Sequence, residues 1–311
     1  MRALLTTILA AALAVPTLAQ AEPAAAPAQP TPAVAEAPAT PRVAVVGASA
    51  SAGFGCVMRE TREDGAYAGS FRLIDMVRLA CPELEFVSSD LASGFFFNAP
   101  VVNGAKAVDR AIAFKPDCVV GLDFLFWYCY GNDDADGKRV DGEEERLAKF
   151  ERGLAELARL DVPVLVGDVP DMSRAVGRML AKSQMPAPAT LAAVNARLAE
   201  WARARPNVIV VPLAMLQRQL MEQGALEFAG RRLEGTKESP LLQRDDLHPA
   251  PLGMAGIACV VAESLKVALL DDEARAKEDC APEPADTIAR ARETLRRMGI
   301  PPANAPATSP K

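Results

Sequence analysis

The chain has 311 residues, half of them hydrophobic, which is enough to form a folded core of ordinary size. Its net charge of −6, with basic residues interspersed and no long basic run, argues against nucleic acid as the main partner. Six cysteines without a C-x-x-C pair argue against a zinc site.

The first 21 residues have the features of a secretory signal peptide. Arg2 gives a basic start, Ala3 to Val15 is apolar, and Ala19-Gln20-Ala21 has the A-x-A form of a cleavage site. The apolar part is short and Pro16 ends it, so we favour a cleaved leader over an uncleaved membrane anchor. We therefore expect a periplasmic or secreted protein that has no integral membrane span after cleavage.

The predicted domain lies between two segments of low complexity. Residues 22–41 are mostly Ala and Pro and predict an extended linker, because such a segment buries too little apolar surface to fold. We assign residues 42–272 to one domain and 273–311 to an appended helix and a disordered tail. Export permits one to three disulfides, although a core of this size does not need them, and their pairing is not readable from the sequence.

Strand and helix patterns alternate along residues 42–272. The first strand, Val43–Val46, runs into a turn rich in Gly, Ala and Ser with Ser49 at its apex. Helical spacing follows at residues 71–81, 105–114, 147–157, 191–201 and 252–270, and strands are predicted at 84–87, within the apolar run 118–130, at 162–166 and at 208–211. Residues 283–298 predict a surface helix. This alternation predicts a mostly parallel sheet with helices on both faces, which would place Ser49 at the edge where such sheets bind ligands.

The single histidine, His248, follows Asp245 by three residues. On one helical turn, side chains at this spacing can meet. A carboxylate hydrogen-bonded to an imidazole fixes its tautomer, which lets the imidazole take a proton from serine. A lone histidine is more often structural, and Ser49 could simply cap a helix. We favour the catalytic interpretation because both features occur in one chain.

The sequence resembles the SGNH, or GDSL-type, hydrolases at two separated segments. Residues 47–53 are similar to the first block of that family, with Ala48 where aspartate is usual, and Asp245-Asp246-Leu247-His248-Pro249 resembles its last block, D-x-x-H-P. The resemblance covers residues 42 to about 270. It implies a flavodoxin-like three-layer α/β/α sandwich with Ser49 as nucleophile, His248 as base and Asp245 as its orienting carboxylate.

The resemblance also implies an oxyanion hole, in which this sequence departs from the family. The N–H groups of Ser49 and Gly94 fit the expected donors, but Asp123 stands where the family has an asparagine. A carboxylate there would repel an oxyanion, and a missing donor typically costs about 3 kcal/mol. Asp123 would have to be protonated, point elsewhere or be replaced by another donor, and Asn98 and Asn132 are the nearby amides.

Several other features have a structural and a functional interpretation. Residues 95–97, three phenylalanines, could pack under a loop or line an acyl pocket, and residues 124–128 predict strand core and edge more than a ligand platform. The acidic run 133–145 could hold Ca²⁺, but it lacks regular ligand spacing and favours a solvated loop. We expect Asp246 to be a solvated neighbour and not the orienting carboxylate, and Arg244 could be a simple charge partner.

These observations predict an exported serine hydrolase that cleaves carboxylic esters through an acyl-enzyme on Ser49. It would be a monomer without metal or cofactor, acting on a small-molecule or polysaccharide-linked ester. Two alternatives remain at this stage: a catalytically silent binding domain of the cell envelope, which the replaced asparagine motivates, and an O-acyltransferase acting on envelope polysaccharide.

Overall fold

A computed structural model of the chain describes residues 40–62, 65–132, 140, 142–271 and 282–298. The predicted signal peptide, the linker up to residue 39, most of the acidic run and the C-terminal tail lie outside the described residues. Cys280 also lies outside them.

The described elements alternate as the sequence predicts. In chain order they are β1 (Arg42–Val45), β2 (Val57–Arg62), β3 (Gly65–Ser70), α1 (Leu73–Ala80), β4 (Val87–Asp90), α2 (Pro100–Phe114), β5 (Cys118–Gly121), α3 (Phe126–Cys129), α4 (Glu143–Leu157), β6 (Val164–Gly167), α5 (Pro188–Arg203), β7 (Val208–Val211), α6 (Leu213–Gln223), β8 (Ala225–Phe228), β9 (Arg231–Glu234), α7 (Pro251–Leu269) and α8 (Pro284–Met298).

Five parallel strands form the central sheet in the order β4-β1-β5-β6-β7. Counted by their sequence order within this sheet, the strands run 2-1-3-4-5, which is the flavodoxin-like arrangement. The strand order reverses between β1 and β5, so the connections that follow these two neighbouring strands leave in opposite directions and open a crevice beyond their carboxyl ends. The predicted flavodoxin-like α/β/α fold is confirmed.

Both faces of the sheet are buried, which explains why β1 is apolar at every position after Arg42. Val43 and Val45 face a core built with α1, α6 and α7, whereas Ala44 and Val46 face a second core built with α2, α4 and α5. Alternate strand residues point to opposite faces, so helices on both sides require a continuous apolar run.

Helix α7 belongs to the first of these cores. It is long and apolar enough to cross a membrane by length and composition, with a mean hydropathy of 1.7, but 61% of its most apolar window is buried inside the protein. That burial is typical of a core helix. Helix α8 also packs onto this side, where Ala291 and Leu295 are fully buried and Leu295 lies over Gly69 of β3.

Two predicted strands differ from the structure. The strand expected at residues 84–87 begins only at Val87 and runs to Asp90, because it is residues 87–90 that pair with β1. The apolar run 118–130 is a strand only as far as Gly121. The chain then turns, with the Phe124 N–H donating to the Gly121 carbonyl, and forms the short helix α3. Residues 124–128 are buried as predicted, but they are not strand.

The structure also has five elements that the sequence did not predict. These are helix α6 and the two antiparallel hairpins β2-β3 and β8-β9, neither of which joins the central sheet. Five cysteines, at positions 56, 81, 118, 129 and 259, are buried and free.

Candidate active site

Ser49 lies in a tight turn directly after β1, at the carboxyl end of the sheet. The turn closes on itself through N–H groups of Ala52 and Phe54, which donate to the carbonyls of Ala48 and Ser49. Gly53 has a φ of +74° and its α-carbon faces the Phe71 carbonyl, which a Cβ would approach to 2.2 Å. Glycine is therefore required at this point, and the Ser49 side chain is left half-buried at the surface of the turn.

The structure brings Ser49, His248 and Asp245 together in one hydrogen-bonded line. His248 Nε2 lies 2.8 Å from Ser49 Oγ, and His248 Nδ1 lies 2.7 Å from Asp245 Oδ2. His248 is only 3% exposed, so its ring is almost entirely shielded from solvent. This arrangement activates a serine nucleophile, because the imidazole contacts the hydroxyl as a base and the carboxylate holds the imidazole in place.

Asp245 reaches His248 through a turn and not along a helix. Its Oδ1 accepts the backbone N–H groups of Leu247 and His248, and its Oδ2 faces the ring. Burial acts to raise the pKa of Asp245, but the hydrogen bonds from the His248 backbone and ring outweigh it and hold the pKa below its usual value. An ionised carboxylate at this place keeps the Nδ1 proton on the imidazole, which leaves Nε2 free to accept from Ser49.

Asp246 is not the solvated neighbour that the sequence predicts. It is 8% exposed, adopts a left-handed φ of +53°, and pairs with Arg178 at 3.0 Å. Arg244, a possible charge partner in the sequence, contributes its carbonyl, which accepts a hydrogen bond from Arg178 at 2.9 Å. Asp246 lies between Asp245 and His248 in the chain, so its ion pair with Arg178 stabilises the turn that carries both residues.

Asp123 binds the serine turn and does not point at an oxyanion position. Its two oxygens accept four hydrogen bonds, from the N–H groups of Ala48, Ala50 and Ser51 at 2.9, 2.9 and 3.1 Å and from Ser51 Oγ at 2.6 Å. Only a carboxylate has acceptors for four donors on one side chain. The Asp123 side chain thus lies against the backbone of the serine turn and not in the oxyanion hole.

Gly94 and Ser49 both line the same cavity. The Ser93 N–H donates to the Gly47 carbonyl at 3.0 Å, which ties the loop after β4 to the serine turn. Within the described part of the chain, neither the Ser49 nor the Gly94 N–H has an acceptor. Two N–H groups without an acceptor that border the same cavity as a serine hydroxyl can bind a developing oxyanion.

Gln243 joins the two remote segments, and nothing in the sequence pattern marked it. Its Nε2 donates to the Phe54 carbonyl at 2.7 Å and to the Pro249 carbonyl at 2.9 Å. The Phe54 ring packs on the His248 ring with centroids 4.5 Å apart. One side chain thereby holds the end of the serine turn against the segment that carries the histidine.

Two cavities meet at Ser49 and His248. The first, of about 50 Å³, is lined mostly by buried side chains of the loops that follow β1, β5 and β6 and of helices α6 and α7, and we call it the inner cavity. The second, of about 120 Å³, is bordered by Gly94 and by the partly exposed Phe54, Phe97 and Met179, and we call it the outer cavity. Of the three phenylalanines at 95–97, Phe96 is buried, Phe95 is exposed and Phe97 lines the outer cavity.

The other candidates from the sequence lie away from Ser49. Asn132 donates to Ser183, Asn98 is exposed, and neither is among the residues that line the two cavities. Of the acidic run, residues 133–139 and 141 lie outside the described residues, and Glu143 to Glu145 form the first turn of α4. Among the described residues no group of three or more His, Cys, Asp or Glu side chains could hold a metal ion.

Comparison with known proteins gives matches only among solved structures; no family model and no curated protein matches the chain. The chain is similar to a psychrotrophic esterase from Pseudoalteromonas sp. (10% identity, 74% of this chain and 100% of the other, TM-score 0.44). It is also similar to a GDSL-like lipase from Bacteroides thetaiotaomicron (15% identity, 74% and 89%, TM-score 0.43). A gut microbial diltiazem-metabolizing enzyme is matched at 11% identity over 72% of this chain but only 46% of its own length, with a TM-score of 0.44.

Proposed function

We propose that the protein is a serine hydrolase that cleaves carboxylic esters through an acyl-enzyme on Ser49. The observation that carries this proposal is the continuous hydrogen-bonded line from Asp245 through His248 to Ser49 Oγ, with contacts of 2.7 and 2.8 Å. The triad lies at the carboxyl edge of the sheet and opens into two cavities, which gives a substrate access to the hydroxyl.

The reaction follows from the positions of these atoms. His248 Nε2 takes the proton of Ser49 Oγ as the oxygen bonds to the ester carbonyl carbon, and the carbonyl oxygen becomes an oxyanion. The imidazolium then gives that proton to the alcohol oxygen as its bond to carbon breaks, which leaves the acyl group on Ser49. Water attacks the acyl-enzyme by the same steps, giving its proton to His248, and the carboxylic acid leaves as Ser49 Oγ regains a proton.

We assign oxyanion binding to the N–H groups of Ser49 and Gly94. Neither group has another acceptor among the residues that the structure describes, which supports this, as does the position of Gly94 on the outer cavity. Asp123 supports the reaction indirectly, because it fixes three N–H groups of the turn and leaves the Ser49 N–H unpaired. The replaced asparagine therefore does not by itself argue for an inactive binding domain.

Reaction with an active-site probe tests the proposal. We expect a fluorophosphonate to label Ser49 covalently and p-nitrophenyl acetate to be hydrolysed, and both activities to be lost in Ser49→Ala. The control Ser239→Ala changes an exposed serine far along the chain and should behave as the parent. If the protein is a silent binding domain, no labelling is expected. If it is an acyltransferase, the acyl group is expected to be transferred to an added sugar acceptor and not released by hydrolysis. Hydrolysis by Ser49→Ala at the parent rate would refute the proposal.

We also propose that the protein is exported and acts as a monomer on a small-molecule or polysaccharide-linked ester. The signal-like residues 1–21 and the Ala/Pro-rich residues 22–41 support export. N-terminal sequencing of the protein from the periplasmic fraction should begin near Glu22. A mature chain that retains Met1 and stays in the cytoplasm would contradict this part of the proposal.

A further inference from the structure

The inner cavity contains one buried polar side chain that the triad and the serine turn do not use. Its described lining includes the polar side chains of Ser49, Asp123, His248 and Gln217. The first three are hydrogen-bonded within the site, as described above. Gln217 is 3% exposed, and its Nε2 is buried without a hydrogen-bond partner in the part of the chain that the structure describes.

Gln217 occupies a position that the packing of its helix reserves for apolar residues. The buried face of α6 consists of residues 213, 216, 217 and 220, and leucine fills the other three positions. This spacing is that of the core-facing stripe of an amphipathic helix. A buried donor without an acceptor destabilises a fold, so an amide at such a position in a native protein calls for an explanation.

The inner cavity is suited to the acyl part of an ester, and the outer cavity to the alcohol. The inner walls, which include Leu122, Met172, Met254 and Ile257, are almost fully buried. A leaving alcohol needs a path to solvent, which the partly exposed rim of the outer cavity gives. The inner volume of about 50 Å³ is small, which favours a short acyl chain.

We propose that the inner cavity binds a short acyl group that carries its own oxygen, and that Gln217 hydrogen-bonds that oxygen through its side-chain amide. The substrates would be esters of short hydroxy- or oxo-carboxylic acids. This inference rests on the proposed esterase function. The apolar walls contact the carbon chain, and the amide selects for the added hydroxyl or carbonyl, because a site with an unpaired buried donor disfavours an analogue that cannot pair with it.

Esters of one alcohol test the acyl preference. We would compare ethyl 3-hydroxybutyrate, ethyl acetoacetate, ethyl butyrate and ethyl octanoate by pH-stat titration. We expect kcat/KM to be about 5- to 10-fold higher for one or both oxygenated esters than for ethyl butyrate, a ratio typical of one hydrogen bond, and lowest for ethyl octanoate. In Gln217→Met, which keeps the length of the side chain but loses the amide, this preference should vanish while kcat/KM for ethyl butyrate rises.

The control is Gln223→Met, which makes the same change at an exposed position of the same helix and should keep the parent preference. Removal of an unpaired buried donor should also raise the Tm of Gln217→Met by a few degrees. A parent enzyme that prefers ethyl butyrate, or an unchanged preference in Gln217→Met, overturns the inference. So does a lowered Tm with unchanged preference, because Gln217 would then be a structural residue.

A binding measurement separates this inference from the esterase proposal. Failure of the esterase proposal appears as absence of fluorophosphonate labelling at Ser49. The cavity inference has its own measurement, since 3-hydroxybutyrate should raise the Tm of the parent protein more than butyrate does, and should lose this advantage in Gln217→Met. Equal shifts for both acids in the parent protein overturn it whether or not Ser49 is labelled.

Discussion

Replacement of Asp123 by asparagine distinguishes two roles for this residue. Activity should fall if Asp123 holds the serine turn and rise if it faces the oxyanion. The carboxylate accepts four hydrogen bonds from the serine turn, and an amide offers one acceptor oxygen in place of two. If the amide nitrogen takes the place of Oδ2, the N–H groups of Ala50 and Ser51 lose their acceptor. If it takes the place of Oδ1, the Ala48 N–H loses its acceptor while the Ser51 hydroxyl can turn to accept.

The less costly of these orientations leaves one buried N–H unpaired, which costs about 1–3 kcal/mol. For a domain of this size the Tm of Asp123→Asn should fall by roughly 2–12 °C. Because the displaced turn carries Ser49, kcat/KM for p-nitrophenyl acetate should fall about 10-fold or more. Asp161→Asn makes the same change at an exposed residue and should alter neither quantity.

The opposite result is expected if Asp123 faces the oxyanion. An asparagine there would restore a donor and raise activity, since one such donor is worth about 10²- to 10³-fold in kcat. Asp123→Asn with an unchanged Tm and increased activity would therefore refute the assignment of Asp123 to the serine turn. Thermal unfolding and initial rates on the same protein preparation measure both quantities.

Three further predictions follow from the packing and charge of described residues. A Cβ on Gly47 would lie 2.3 Å from Asp123 Oδ1, whereas one on Gly94 would meet nothing within 4 Å. Gly47→Ala should therefore lose about 1–3 kcal/mol of stability and most activity while Gly94→Ala keeps the parent stability, and equal losses of stability in urea titration would contradict this. Because the pKa of Asp245 is lowered in the fold, its stabilising effect is present above the unfolded value of about 3.9 and is lost as the pH falls through the folded value. The difference in free energy of unfolding between the parent and Asp245→Asn should then be larger at pH 6 than at pH 3, and a pH-independent difference would speak against a lowered pKa. Burial raises the pKa of five thiols to about 12, so a Cys280→Ser variant purified under reducing conditions should not react with a disulfide reagent at pH 8 until urea unfolds it; the five are Cys56, Cys81, Cys118, Cys129 and Cys259.

Local patterns in the sequence were sufficient to predict the layered fold and the order of most of its elements. Strand β1 is apolar on both faces because helices cover both faces of the sheet. Burial of both faces makes consecutive residues apolar, so the sequence alone reveals it. The same holds for the helical stripes of α1, α2, α4, α5 and α7. It fails for residues 124–128, where burial was predicted but helix was not, because an apolar run alone does not distinguish a short helix from a strand.

The candidate residues Ser49, Asp245 and His248 were also chosen from the sequence, but their contact was not determined by it. Ser49 and His248 are 199 positions apart, and Gln243, which links their segments, bonds a carbonyl 189 positions away. From the sequence, Asp123 was a possible obstacle to oxyanion binding, whereas in the structure it accepts hydrogen bonds from the serine turn. Asp246 and Gln217 are buried, although their residue types are usually exposed. Short-range spacing restricts which neighbours along one element can meet, whereas hydrogen bonds between remote loops depend on how the sheet and helices place those loops. Only the tertiary structure decided these contacts.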